Sequence, residues 1–239
     1  MNILILGATS SIGKSVAKGF AKNNKLFLLS TKFEKVESLK KEILALGGAD
    51  IKIIEASLES IINIKEFIEG KIDMIINIAS ATSRLKNNNI DPHNNQFYTS
   101  VDLLNPLEIL EHFLKENAKE GKNQQLYYIF INTILSRIQS PDYSIYYSYK
   151  ILQQEYMRSF QRKYGEILKT INVIVGTQIN RTKETRKTVK LAEKIKLAIK
   201  RNESEFIFGF DGKIIYMLYR ISPLLSNCLI YMKRFLFRQ

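Results

Sequence analysis

The stretch that most restricts the fold is the opening one, Asn2-Ile3-Leu4-Ile5-Leu6-Gly7, which runs into a helical pattern from Ser11. Four consecutive apolar residues leave no polar face, so a strand built from them must be covered on both sides. Met74-Ile75-Ile76-Asn77-Ile78 has the same character. Together with runs near 2–6, 25–30, 51–55, 72–78, 126–132, 169–175 and 205–208, these predict strands. Helical patterns near 11–22, 33–46, 58–69, 97–119, 144–164 and 185–201 lie between them. Strand–helix alternation with short connections predicts an α/β fold, a doubly wound parallel sheet of about seven strands with helices on both faces. No Pro/Gly/Ser-rich break or repeat divides the 239 residues, so one domain over 1–239 is expected, with 212–239 a basic amphipathic C-terminal tail.

Several function classes drop out on composition. A basic start and a longer apolar run, the marks of a secretory signal, are missing from the first residues. Cys228 is the single cysteine, which suits a reducing cytoplasm. His93 and His112 have no second Cys or His nearby, so no metal site is expected. The net charge of +13 admits nucleic acid, an acidic membrane surface or a phosphorylated ligand. Its excess lies late in the chain, with nine Lys/Arg against two Glu over 181–201 and five against none from Lys213 onward. With no nucleic-acid module visible, nucleic-acid binding is not expected, and a solvated basic surface is the plain alternative.

Gly7 ends the first strand and Gly13 opens the helix after it. Such a turn offers backbone N–H groups and a positive helix end to a pyrophosphate. Gly7, Thr9, Ser10, Ser11, Ile12 and Gly13 are therefore candidate dinucleotide-binding residues. Strand two ends at Ser30-Thr31-Lys32, with no acid before Glu34. An acid there would bind a ribose 2′-hydroxyl, whereas hydroxyls plus an ammonium suit a 2′-phosphate. Thr31 and Lys32 thus favour NADP(H) over NAD(H), unless Lys32 is only a solvated first-turn lysine. The polar segment 80–95 and the segment 176–184 each follow a strand's carboxyl end and are candidate substrate loops.

In Asp142-Tyr143-Ser144-Ile145-Tyr146-Tyr147-Ser148-Tyr149-Lys150, four tyrosines precede one lysine. An unperturbed phenol is a poor proton donor or acceptor at neutral pH, and a nearby ammonium improves it. Helical spacing puts Tyr146 (i, i+4) on the face of Lys150 and leaves Tyr147 (i, i+3) possible.

With these motifs in their order and spacing, the chain resembles the short-chain dehydrogenase/reductases from Met1 to about residue 180. The family's Tyr-x-x-x-Lys matches Tyr146 to Lys150, and its Gly-rich turn matches Leu6 to Gly13. Its Asn-Asn-Ala-Gly matches Asn77-Ile78-Ala79-Ser80. Its catalytic serine position, thirteen residues before the tyrosine, holds Thr133. The resemblance implies a Rossmann-type sheet and hydride transfer between a nicotinamide and a carbonyl or alcohol. Tyr146 would be the acid–base group, Lys150 would tune it and hold the nicotinamide ribose, and Thr133 would orient the substrate oxygen. Ser57 stands where the family has an adenine-contacting Asp, and with Asn77 and Ala79 it joins the expected cofactor contacts. Ser11 replaces the turn's middle glycine, Ile78 an Asn, and Val175 a Pro. Asp102 occupies the place of the proton-relay Asn and is carried as a catalytic candidate whose charge would alter that relay.

From Pro223 onward, Leu224, Leu225, Cys228, Leu229, Met232, Phe235 and Leu236 share one helical face, with basic residues largely off it. No 18-residue apolar run exists, so a membrane span is not expected. The tail suits either peripheral contact at the inner face of the membrane or packing in a protein interface. The expectation is an NADP(H)-dependent oxidoreductase, a homo-oligomer, acting on a small-molecule or lipid-linked carbonyl or alcohol, such as an intermediate of surface-polysaccharide or cell-envelope synthesis. The rival is a non-catalytic dinucleotide-binding regulator or complex subunit, suggested by the departures from the family pattern.

Overall fold

The structure is a computed structural model that describes residues 1–48, 50–59, 68, 70–80, 92–119, 125–138, 144–176, 183–224 and 228. In chain order the elements are β1 (Asn2–Leu6), α1 (Ser11–Phe20), β2 (Lys25–Ser30), α2 (Phe33–Ala45), β3 (Ile51–Glu55) and β4 (Met74–Asn77). There follow α3 (Pro92–Tyr98), a π-helical segment (Thr99–Leu104), α4 (Asn105–Lys119), β5 (Leu126–Thr133) and α5 (Leu135–Ile138). The chain continues through α6 (Ser144–Tyr164), β6 (Leu168–Val175), α7 (Arg186–Lys200), β7 (Glu205–Phe208) and α8 (Phe210–Ile221).

The seven strands form one sheet in the order β3-β2-β1-β4-β5-β6-β7, and every adjacent pair is parallel. β1 lies inside the sheet, with Ile5 opposite Leu28 on one side and Ile76 on the other. Alternation of side chains explains its unbroken apolar run. Ile3 and Ile5 face a core shared with Val16 and Phe20 of α1, Leu39 of α2 and Ile195 of α7. Leu4 and Leu6 face the opposite core, built with Phe113 of α4 and Met157 of α6. All four are fully buried, each stabilising the fold by about 1.5–3 kcal/mol at most. A doubly wound, Rossmann-type sheet is therefore what the early strands demanded.

The expected single helix over 97–119 is corrected in the structure. α3 and α4 are separated by the π-helical turn, in which the Asn105 N–H bonds the Ser100 carbonyl five residues back. Pro106 supplies a reason: it brings no N–H and its ring crowds the carbonyl of Asp102, four residues earlier. The backbone widens there instead of continuing in α register. The first part of the expected tail is a helix packed on the domain: Ile215 of α8 is buried and shares a small core with Ile134, Ile138 and Ile174. Most of the expected helix over 58–69 and most of the tail beyond Leu224 lie outside the described residues.

Candidate active site

In the strand order, successive connections depart in opposite directions from β1, so a crevice opens between the carboxyl ends of β1 and β4. Gly7 turns the chain there with φ +81, and a Cβ on it would lie 2.9 Å from the backbone nitrogen of Ala79. The first turn and the end of β4 are thus in contact. Gly13 is closer still: its Cβ would meet the Gly7 carbonyl oxygen at 2.4 Å and that of Ala8 at 2.7 Å. Ser10 caps α1, its Oγ accepting from the Gly13 N–H at 3.0 Å and donating to the Gly7 carbonyl at 3.0 Å. Ser11 is buried in the first helical turn, and Ile12 packs partly into the core. Non-glycine residues with positive φ, among those described, are Asn23 and Asn202. Ser11 therefore replaces the family's glycine without a left-handed backbone.

At the end of β2, the hydroxyls of Thr9 and Ser30 lie 2.9 Å apart, and the Lys32 N–H donates to the Ser30 Oγ at 3.2 Å. Thr31 and Lys32 are exposed, and Lys32 has no ion-pair partner among the described residues. Ser57 follows β3 and accepts from the Glu59 N–H at 3.1 Å, closing a turn.

Thr133 is the last residue of β5, half-buried, its Oγ1 accepting from the Leu135 N–H at 3.3 Å. Tyr146 and Lys150 lie one turn apart in α6, and the Lys150 Nζ stands 5.8 Å from the centre of the Tyr146 ring. Tyr146 is 8% exposed and Tyr147 2%. Tyr149 donates to the Asn95 carbonyl at 3.3 Å and shares a 2.7 Å hydrogen bond with Thr99 Oγ1, tying α6 to the π-helical turn. Tyr143 lies outside the described residues. The turn also presents Asp102, whose Oδ1 is 3.3 Å from the Lys150 Nζ; the two side chains are 0% and 2% exposed. The sequence-predicted Tyr146, Lys150 and Asp102 are thus brought together, while Thr31 and Lys32 follow β2 and Ser57 follows β3, beyond the other side of β1.

Asn77 points into the sheet, donating to the Tyr128 hydroxyl at 3.0 Å. Complete burial pushes the Tyr128 phenol far above its ordinary value, against the smaller opposing pull of hydrogen bonds from Asn77 and Gln153. Sequence reasoning missed Asn132. Its Oδ1 accepts from the Thr133 N–H at 2.7 Å and from the Ser136 Oγ at 3.0 Å, while its Nδ2 donates to the Lys150 carbonyl at 3.4 Å. One buried amide thus fixes the backbones carrying Thr133 and Lys150, and its position one residue before Thr133 was the available signal. The π-helical turn was equally readable from Asn105-Pro106.

Residues 177–182 of the second expected substrate loop lie outside the described residues, but its ends are anchored. Gly176 meets α8: a Cβ there would fall 2.7 Å from Asp211 Oδ1 and 3.0 Å from the Gly212 nitrogen. Glu184 accepts from the Ser15 hydroxyl at 2.9 Å and pairs with Lys18 at 2.6 Å, on the cofactor-side helix α1. Burial works against the Lys18 charge, yet its hydrogen bonds to Glu184 and Glu42 outweigh that and raise its pKa. Of the first loop, residues 81–91 are outside the described residues. No group of three His, Cys, Asp or Glu able to hold a metal occurs among the described residues.

A family model for short chain dehydrogenases matches residues 1–191. Among curated proteins, 11-beta-hydroxysteroid dehydrogenase-like 2 of Arabidopsis thaliana is 34% identical over 84 residues, 32% of this chain and 27% of that relative's length. Among solved structures, the short-chain dehydrogenase from Sphingobium yanoikuyae in complex with NADPH superposes with TM-score 0.72 at 14% identity, covering 95% of each chain. The bulky-bulky ketone specific alcohol dehydrogenase from Comamonas testosteroni gives 0.70 at 16%, covering 86% of this chain and 85% of that one. At these identities the superpositions speak for the fold, while the match over 1–191 decides descent: the chain belongs to the short chain dehydrogenase family of oxidoreductases.

Proposed function

We propose that the chain is an NADP(H)-dependent oxidoreductase interconverting a carbonyl and an alcohol. The observation that carries this is the Tyr146–Lys150 pair on α6, tied through Asn132 to Thr133 at the end of β5, in a sheet whose switch point carries the glycine turn. The dinucleotide fit rests on that turn. Space at Gly7 and Gly13 is closed to any side chain, so backbone can approach a pyrophosphate, and α1 points its positive end there. NADP(H) is favoured because Lys32 is exposed, without an ion-pair partner among the described residues, next to the Thr9–Ser30 hydroxyl pair.

A bound nicotinamide supplies or takes the hydride. In reduction, the electron pair that forms the new C–H bond displaces the carbonyl π pair onto oxygen, and Tyr146 gives that oxygen its hydroxyl proton. The Thr133 hydroxyl donates a hydrogen bond to the same oxygen and orients it. Lys150 would stabilise the phenolate left behind and would hold the nicotinamide ribose. Ala79 and Ser57, after β4 and β3, would flank the cofactor, and Asn77, turned to the Tyr128 hydroxyl, would brace the end of β4 from within. Asp102 completes the buried group through Lys150.

The substrate is read as a sugar or lipid-linked keto compound handled near a membrane surface, and a homo-oligomer is expected. Support for the surface comes from α8 and the residues after it, where Phe210, Met217, Ile221 and Leu224 are exposed apolar side chains beside Lys213 and Arg220. No helix among the described residues is long and apolar enough to cross a membrane. The test is Tyr146→Phe: oxidation of NADPH with a panel of ketones and keto-sugars falls by at least about a hundredfold, as expected for loss of a proton donor. NADPH binding by fluorescence stays within about twofold of wild type. Full turnover in this variant removes the assignment.

A further inference from the structure

β4 pairs with β5 as far as Asn77↔Phe130, whereas β6 follows β5 on to Thr133↔Val175. The Ile134 N–H donates to the Val175 carbonyl at 2.9 Å, on the β6 side. Successive N–H groups of a strand point to opposite sides, so the Thr133 N–H points to the β4 side, beyond the last pair of that ladder. Leaving such a donor unmet would be costly, and Asn132 meets it from one residue away, its Oδ1 accepting at 2.7 Å. The same oxygen accepts at 3.0 Å from the Ser136 hydroxyl, which also donates to the Thr133 carbonyl at 2.7 Å. The Asn132 side chain is buried on the sheet face of Tyr128 and Phe130, the face that α6 covers through Met157. From there its Nδ2 donates to the Lys150 carbonyl at 3.4 Å. A side-chain amide carries both the acceptor and the donor that this bridge needs, and a leucine of nearly the same shape carries neither.

We infer that Asn132 is a positioning residue whose amide holds Thr133 and Lys150 in one frame, fixing the substrate-orienting hydroxyl relative to the helix that carries Tyr146. Thr133 Oγ1 accepts from the Leu135 N–H at 3.3 Å, so its own hydrogen is left to donate to a substrate oxygen. The backbone at residue 133, which Asn132 holds, decides where that hydrogen is aimed. Tyr146 and Lys150 lie one turn apart in α6, so a bond to the Lys150 carbonyl sets the position of both along β5. A displacement of about 1 Å between reacting groups can cost about a hundredfold in rate. Asn132 acts through Thr133 and Lys150, whose roles rest on the function proposed above; the tie between their two segments does not.

Full-length Asn132→Leu is compared with wild type and with Asn117→Ala, which removes a different buried amide, one that donates from α4 to the Ile72 carbonyl at 3.2 Å. With NADPH and the same panel of ketones and keto-sugars, Asn132→Leu lowers kcat by at least about tenfold, while KM for the ketone and NADPH affinity stay within about threefold. Asn117→Ala keeps kcat within about twofold. An unchanged kcat in Asn132→Leu, or an equal fall in Asn117→Ala, overturns the inference. Amide hydrogen exchange reads the tie without turnover. Asn132→Leu should speed exchange by at least about threefold in both 131–137 and 147–154, and Asn117→Ala in neither. Unaltered exchange in either segment of Asn132→Leu overturns the inference. Should Asn132→Leu not fold, Asn132→Ala is read in its place with the same expectations. Should neither fold, the wild type decides: the Thr133 amide exchanges at least about a hundredfold more slowly than in an unstructured peptide, and lesser protection overturns the inference. Wild type that turns over no carbonyl would sink the proposed enzyme, and faster exchange in both segments would still support the tie.

Discussion

Replacing Gly13 by alanine separates a glycine needed for geometry from one that is only tolerated. The new Cβ would lie 2.4 Å from the Gly7 carbonyl oxygen and 2.7 Å from that of Ala8, where ordinary contact begins at 3.4 Å. Both obstacles are backbone, so the first turn of α1 must retreat by about 1 Å, a strain of about 1–3 kcal/mol. Against this, alanine gains about 1 kcal/mol of helix propensity. The net loss of up to about 2 kcal/mol lowers Tm by up to about 4–8 °C in a domain of this size. The same movement drags the capping Ser10, which bonds both glycines, away from the pyrophosphate path. Loss of one hydrogen bond to a charged phosphate is about 1.5–3 kcal/mol, so NADPH binding weakens by about tenfold to a hundredfold. Gly19→Ala on the same helix is the control. Its Cβ meets Ala192 Cβ at 3.3 Å, a shortfall of a tenth of an ångström, so NADPH affinity should stay nearly unchanged and Tm should hold or rise by up to about 4 °C from the unopposed propensity gain. Calorimetry and NADPH fluorescence titration read the two variants. Unaltered Tm and affinity in Gly13→Ala, or equal damage in Gly19→Ala, would refute the reasoning.

Lys32→Glu should weaken NADPH binding by about tenfold or more and spare NADH, since the exposed Lys32 ammonium is the group proposed to meet a 2′-phosphate; equal losses for both cofactors would remove the NADP(H) preference. Flotation with phosphatidylglycerol-containing vesicles should carry wild type upward, and Ile221→Asp with Leu224→Asp should abolish it, while an unaltered float, or none in wild type, ends the membrane-surface reading.

Strand identity was legible because an apolar run such as Ile3–Leu6 has only one place to go, and its two alternating halves do enter two cores. The glycine turn was legible for a similar reason, since a φ of +81 at Gly7 and a backbone contact at Gly13 leave few other residues possible. Helical spacing left Tyr146 and Tyr147 open, because both flank Lys150 on one broad face. What stayed hidden depends on partners far along the chain. The Asp102–Lys150 contact spans the π-helical turn and α6, and no local pattern announces it. Asn132 acts on α6 from a neighbouring strand, and Glu184 reaches α1 from the far side of the β6 connection. The residues after β7 read as an amphipathic tail because α8 buries only Gly212 and Ile215 among its twelve residues.

The central place of β1 also orders the birth of the molecule on the ribosome. One edge of β1 finds its neighbour within the first 30 residues, but the other waits for Met74–Asn77. Until that segment emerges, Ile3–Leu6 presents an open, wholly apolar strand edge, the kind that pairs with any strand offered. Parallel pairing across so many residues is slow to form. The growing chain therefore passes through a window in which that edge is open to mispairing.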